Sequence, residues 1–233
     1  LIIIVILSFV VMHGLQIHAF GSRIAGRLTN RSALGTTLAE TLLKSSAILS
    51  IFFLPALAFI VESKISITDY ILLIIASYIL TLLVTIIIIF KFNNIQKFYQ
   101  LLFNKFNNNS IPVAMFKALF FKKTDFSGKD CVEFSFKLTV FKKTLFSLIA
   151  YIFIISGYFA AFMLAIIYPE NRLTLSQFAT IFHGFGVVMI AFYLDPMLSR
   201  SIDSYGDDIS WVNNVYSILL GRMLSYLIVT ILL

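Results

Sequence analysis

Arg23, Arg27 and Arg31 recur every fourth residue where the first apolar stretch ends, and Glu40 and Lys44 follow inside the next one. Converging arginines suit anions, above all phosphates, because each guanidinium offers a planar fork of donors. A helix continued through Arg31 puts all three on one face. Traced backward, the same stripe meets His13, Gln16 and Phe20 at steps of three or four. An ionised side chain in hydrocarbon costs about 2.5–3.5 kcal/mol on insertion scales, so charges clustered at helix spacing are expected to face a protein interior or a polar cavity. Two readings stand side by side: anchoring of a helix end at a membrane surface by the positive-inside rule, and a row of site cations.

Other polar groups in apolar surroundings extend the candidate set. Thr36 or Thr37, Glu40 and Lys44 form a seam on the second stretch that can meet the arginine stripe, and Glu40 with Lys44 is also an i,i+4 ion pair of favourable orientation. Ser176, Thr180 and His183 share a face beside Gly184 and Gly186, where small residues let helices approach closely. His183 reads more readily as a hydrogen-bonded packing histidine than as a ligand. Near the carboxyl end Asn214, Ser217, Gly221, Arg222 and Ser225 interrupt an apolar run, and Arg222 lies deep enough in it to need an acid, a carbonyl or an anionic ligand.

These residues must be positioned by membrane-spanning helices. The chain is 60% hydrophobic and holds 25 Phe, with 12% charged residues against about a quarter in soluble domains. A span needs about 20 apolar residues, and six segments qualify: 1–22, 33–61, 68–90, 144–168, 173–194 and 209–233. The fold class is therefore an all-α polytopic membrane protein. Three units follow: a first three-helix half over 1–90, a basic segment over 91–143, and a second three-helix half over 144–233. The single cysteine, Cys131, excludes an intrachain disulfide and a cysteine-based metal cluster. The chain begins at Leu1 and stops at Leu233 in an apolar run, so natural termini beyond both ends are expected, and no signal-peptide cleavage pattern is legible.

Ten lysines against Asp125, Asp130 and Glu133 place the segment from Lys91 to Lys143 in the cytoplasm. The Arg23–Arg31 turn is then also cytoplasmic, and both termini are outside. Six spans so oriented give two halves of opposite direction, the arrangement of a 3+3 inverted repeat. Arg27-Leu28-Thr29 after span one echoes Arg172-Leu173-Thr174 after span four, and Pro55 and Pro196 occupy matching late positions. In the basic segment lysines interleave with aromatics such as Phe92, Phe98 and Phe103, as in amphipathic helices lying on anionic lipid. Asn107 to Pro112 breaks it into two arms, Ser127-Gly128-Lys129-Asp130 makes a turn, and Val132 to Val140 alternates like a short strand. No RNP or KH pattern supports nucleic acid as a partner.

Enzyme chemistry does not assemble. His13, His18 and His183 lack metal-ligand spacing, and neither GxSxG nor a P-loop appears, so no cofactor is expected. Asp195, Asp203, Asp207 and Asp208 remain open as ligands of a divalent cation.

Pro169-Glu170-Asn171-Arg172-Leu173-Thr174-Leu175-Ser176-Gln177, then Gly184, Asp195-Pro196-Met197-Leu198-Ser199 and Asp203, together with Arg23-Ile24-Ala25-Gly26, Thr29 and Arg31, resemble the Amj family of bacterial lipid II flippases. The resemblance implies translocation of an undecaprenyl-pyrophosphate-linked saccharide to the outer leaflet of the bacterial cytoplasmic membrane for peptidoglycan synthesis. In that reading Arg23, Arg27, Arg31 and Arg222 hold the pyrophosphate, Gln16, Gln177, Asn213 and Asn214 meet the sugars, His183 lies beside them, and Glu40 and Lys44 tune or release the anion. Expected partners are lipid II or a related lipid, anionic membrane lipids, and a second copy of the chain in a homodimer. A secondary transporter for a smaller anionic solute and a non-transporting scaffold are the alternatives. A lateral gap beside the arginines favours the lipid, an enclosed pocket the solute, and fully paired charges the scaffold.

Overall fold

A computed structural model of the chain describes residues 1–106, 113, 131, 140–204 and 208–233. Among these the regular structure is entirely helical, and six helical stretches are long and apolar enough to cross a membrane. Helix α1 (Ile2–Leu28) is span one; α2 (Ser32–Ile48) and α3 (Ser50–Glu62) form span two; α4 (Ile67–Phe90) is span three. After α5 (Phe92–Phe106), α6 (Phe141–Ile167) is span four. Span five begins with the 3-10 turn Pro169–Asn171, continues as α7 (Arg172–Met189) and the π-helical Ile190–Leu194, and runs on into α8 (Asp195–Ser204). Helix α9 (Asp208–Leu232) carries span six.

Helix α1 runs past Ser22 to Leu28, and its end corrects the expected arginine stripe. Asn30 adopts a left-handed φ of 57°, which Asn tolerates better than most residues. The Arg31 N–H reaches the Gly26 carbonyl at 2.7 Å and the Asn30 N–H reaches that of Arg27 at 3.1 Å, a Schellman closure that satisfies the last carbonyls. The chain reverses before Arg31, which becomes the residue preceding α2 and leaves the face of Arg23 and Arg27.

Spans two and five are both interrupted. In span two, Ser46 and Ser50 donate hydroxyl bonds to the Leu43 and Ala47 carbonyls at 2.7 and 2.6 Å, back-bonding that bends helices; the ladder breaks at Leu49. In span five the π segment inserts its extra residue just before Asp195 and Pro196, and such bulges are found often at functional sites.

The packing order repeats in the two halves: α1 packs on α2 and α4, as α6 packs on α7 and α9. One apolar cluster joins Val5 and Phe9 to Phe53, Tyr78, Phe159 and Val229. A second joins Phe20 and Leu28 to Phe92, Tyr151, Leu198 and Trp211. The spans accordingly alternate in direction, and the two ends of the chain share the first cluster. Tyr70 and Tyr78 of α4 donate to the Phe159 and Ile155 carbonyls of α6 at 3.1 and 3.2 Å, tying the halves together where hydrocarbon supplies no competing partner.

Helix α5 lies where the first basic arm is expected, and its apolar side chains are covered by protein. Phe92, Tyr99, Leu102 and Phe103 are buried, with Ile95 and Tyr99 lying over Gly21 of α1 and Gln96 donating to the Tyr216 hydroxyl at 2.9 Å. Burial pushes the Tyr99 phenol up from its ordinary range. The second basic arm, the turn at Ser127–Asp130 and residues 132–139 of the expected strand lie outside the described residues.

Candidate functional site: two cavities divided by an arginine bridge

The site begins with two glycines. A Cβ on Gly26 would stand 2.7 Å from Gly35 Cα, and one on Gly35 would stand 2.7 Å from the Ser22 carbonyl oxygen, so α1 and α2 cross with their backbones nearly touching. The Ser22 hydroxyl fixes the crossing by donating to the Gly35 carbonyl at 3.1 Å. That approach sets Arg23 of α1 opposite Glu40 of α2. On the other side, Gly157 and Gly186 let α7 lie against α6, where a Cβ would meet the His183 nitrogen at 2.7 Å and the Ala150 carbonyl at 2.6 Å. The π segment then delivers Asp195 to the same arginine.

Arg23 spans the gap. Its Nη2 lies 3.1 Å from Glu40 Oε1 and its Nη1 lies 3.0 Å from Asp195 Oδ1. The Arg23 side chain is 14% exposed and those of Glu40 and Asp195 47% and 42%, so the acidic side chains keep contact with their surroundings while the basic one is largely enclosed. Of the two pairings open to Glu40, the one with Arg23 of the stripe is made, and the i,i+4 pair with Lys44 is not present among the described residues. Asp195, considered from the sequence only as a metal ligand, is the missed member of the trio: 172 residues separate it from Arg23, and no local spacing signals the contact. Among the described residues no three His, Cys, Asp or Glu side chains converge on a metal position.

The bridge stands in the wall between two cavities. The inner one, about 400 Å³, is bounded by Met12, Gln16, Lys44, Tyr151, Tyr158 and His183, among others. The outer one, about 240 Å³, is bounded by Arg27, Ser32, Thr36, Leu198, Ser199 and Trp211. Arg23, Glu40 and Asp195 line both. The inner cavity is rimmed by Ala47 on span two and by Val187 and Ala191 on span five, all exposed, so it is a groove opening sideways between the two interrupted spans. His183 stacks on Tyr158 with ring centroids 4.5 Å apart and donates from Nδ1 to the Ile154 carbonyl at 3.2 Å; it is both a packing histidine and part of the wall.

Arg222 sits behind this wall. It is 1% exposed and donates to Gln16 Oε1 at 2.7 Å, to the His13 carbonyl at 3.3 Å and to the Tyr226 hydroxyl at 3.3 Å. His13 Nδ1 lies 2.7 Å away, and the guanidinium carbon lies 4.6 Å from the Tyr151 ring centroid. Among the described residues no carboxylate pairs with it; neutral oxygens, an imidazole and a π face carry its charge. Gln16 continues the chain of contacts by donating to Ser46 Oγ across the inner cavity at 3.3 Å.

Arg222, expected to hold the pyrophosphate, lines neither cavity, and three more expected site residues fall elsewhere. Arg31 donates to the Phe103 carbonyl in the last turn of α5, where a cation meets the negative end of a helix. Asn214 is buried and accepts from Lys143. Gln177 is exposed and lines neither cavity. No family model, no curated protein and no solved structure matches the chain.

Proposed function

We propose that this protein is a flippase that carries a pyrophosphate-linked polyprenyl saccharide, lipid II in the reading the family resemblance implies, from the inner to the outer leaflet of the bacterial cytoplasmic membrane. The observation that carries the reading is the sideways opening of the inner cavity between spans two and five, with Arg23 at its polar end. A lipid can thread its headgroup through such a gap while its tail stays in hydrocarbon. Arg23 and Arg27 bound the outer cavity with the hydroxyl-bearing Ser32, Thr36 and Ser199, donors of the kind a pyrophosphate takes. The matching packing order of the halves and the interruption of the second span in each suit an inverted repeat with its binding site at the broken helices. Carriage, and no chemical step, is all that the site is asked to perform.

Expression in a bacterium depleted of its essential lipid II flippase tests this. The wild-type chain restores growth and Arg27→Ala, at equal membrane abundance, does not; failure of the wild type, or full rescue by Arg27→Ala, overturns the proposal. In liposomes, uptake of a small phosphorylated solute without lipid movement would assign the same cations to a solute transporter instead.

A further inference from the structure

Both terminal nitrogens of Arg23 are engaged, one by each carboxylate. A phosphate entering the outer cavity and gripping both terminal nitrogens competes with the two acids for them. Asp195 follows the π segment directly and is held in place by a continuing helix. Glu40, the more exposed of the two, has a destination. Lys44 lies one turn further along α2, at the i+4 position that suits a Glu-to-Lys pair, and lines the inner cavity as Glu40 does. Among the described residues no ion pair to Lys44 is present. The contact is also the tie that runs from span two through Arg23 to span five, two spans that otherwise pack chiefly within their own halves, on α1 and α6.

We propose that Glu40 exchanges partners during transport, leaving Arg23 for Lys44 when a diphosphate headgroup claims Arg23, so that the wall between the cavities opens when the site is loaded. Lys44 is then a positioning residue: it receives the displaced carboxylate and has no contact with the diphosphate. The exchange rests on the functional reading above. It keeps the Glu40 carboxylate paired in both states, in a span where a lone Glu would be costly.

Trp211 is the only tryptophan of the chain and lines the outer cavity, so its fluorescence reports occupancy there. The purified protein in lipid nanodiscs is titrated with farnesyl pyrophosphate and, separately, with inorganic pyrophosphate, which distinguishes a lipid-borne from a free diphosphate. Exchange predicts that Lys44→Gln weakens binding about tenfold and that Glu40→Gln strengthens it by a similar factor, a coupling of ordinary size for linked sites. In the Glu40→Gln background, Lys44→Gln then has no effect, because no displaced carboxylate needs it. Lys44→Arg restores wild-type binding and guards against misfolding as the cause. Equal weakening by Lys44→Gln in both backgrounds, or none in either, overturns the exchange while leaving the flippase reading intact. A wild-type protein that binds neither diphosphate overturns both.

Discussion

Arg23 shares one guanidinium between two carboxylates, so the trio carries net negative charge where the sequence spacing suggested a row of cations facing one acid and a lysine. Arg222 is the opposite case, a positive group in the interior with neutral partners only among the described residues. The inner cavity therefore lies between a negative and a positive centre, with Gln16 and Tyr151 touching the Arg222 side. At this scale two outcomes are expected. Arg23→Gln abolishes transport, measured as lipid movement in liposomes, while the protein still inserts. Arg222→Met leaves the Gln16 and His13 oxygens without their donor, and because an unsatisfied buried acceptor costs about 1–3 kcal/mol, the melting temperature in detergent falls markedly; an unchanged melting temperature would show that these contacts contribute nothing.

At the scale of elements, close helix crossings decide where the charges meet. Gly26 and Gly35 allow the α1–α2 approach that brings Arg23 and Glu40 together. Gly26→Ala drives a Cβ against the Gly35 backbone, so it is expected to cost about 1–3 kcal/mol by overpacking and to lower transport through loss of the bridge. Gly184 is the internal control: nothing lies within 4 Å of a Cβ built there. Gly184→Ala should raise helix stability by about 0.5–1 kcal/mol and leave transport unchanged, as thermal unfolding and a flipping assay would register.

For the whole molecule, the groove between spans two and five is the feature on which the proposed lipid movement would depend. Ala47→Cys together with Ala191→Cys, in a Cys131→Ser background, places thiols on its two rims. Bridging them with a cleavable bifunctional reagent is expected to stop lipid movement, and cleaving the bridge to restore it. Undiminished transport in the bridged protein would mean that the two spans need not separate.

The six spans, their alternating direction and the cations at the end of span one were legible in the sequence, because hydropathy and helical spacing are local properties and hydrocarbon penalises charge heavily enough to make each exception visible. The second basic arm and residues 132–139 of the expected strand fall outside the described residues. Arg31 left the stripe because the left-handed Asn30 closes the helix before it, a consequence of capping geometry that four-residue spacing does not contain. Gln177 and Asn214 carried suitable chemistry yet reached other environments, since helix rotation about its own axis is settled by packing. Only the tertiary structure chose Asp195 over Lys44 as a companion of the Arg23–Glu40 pair and opened a groove between the two broken spans. The physical reason is that partnership between charges depends on which helices cross and how closely: glycine contacts set the crossings within each half, and the packing of the two halves brings Asp195 to Arg23 across 172 residues of chain.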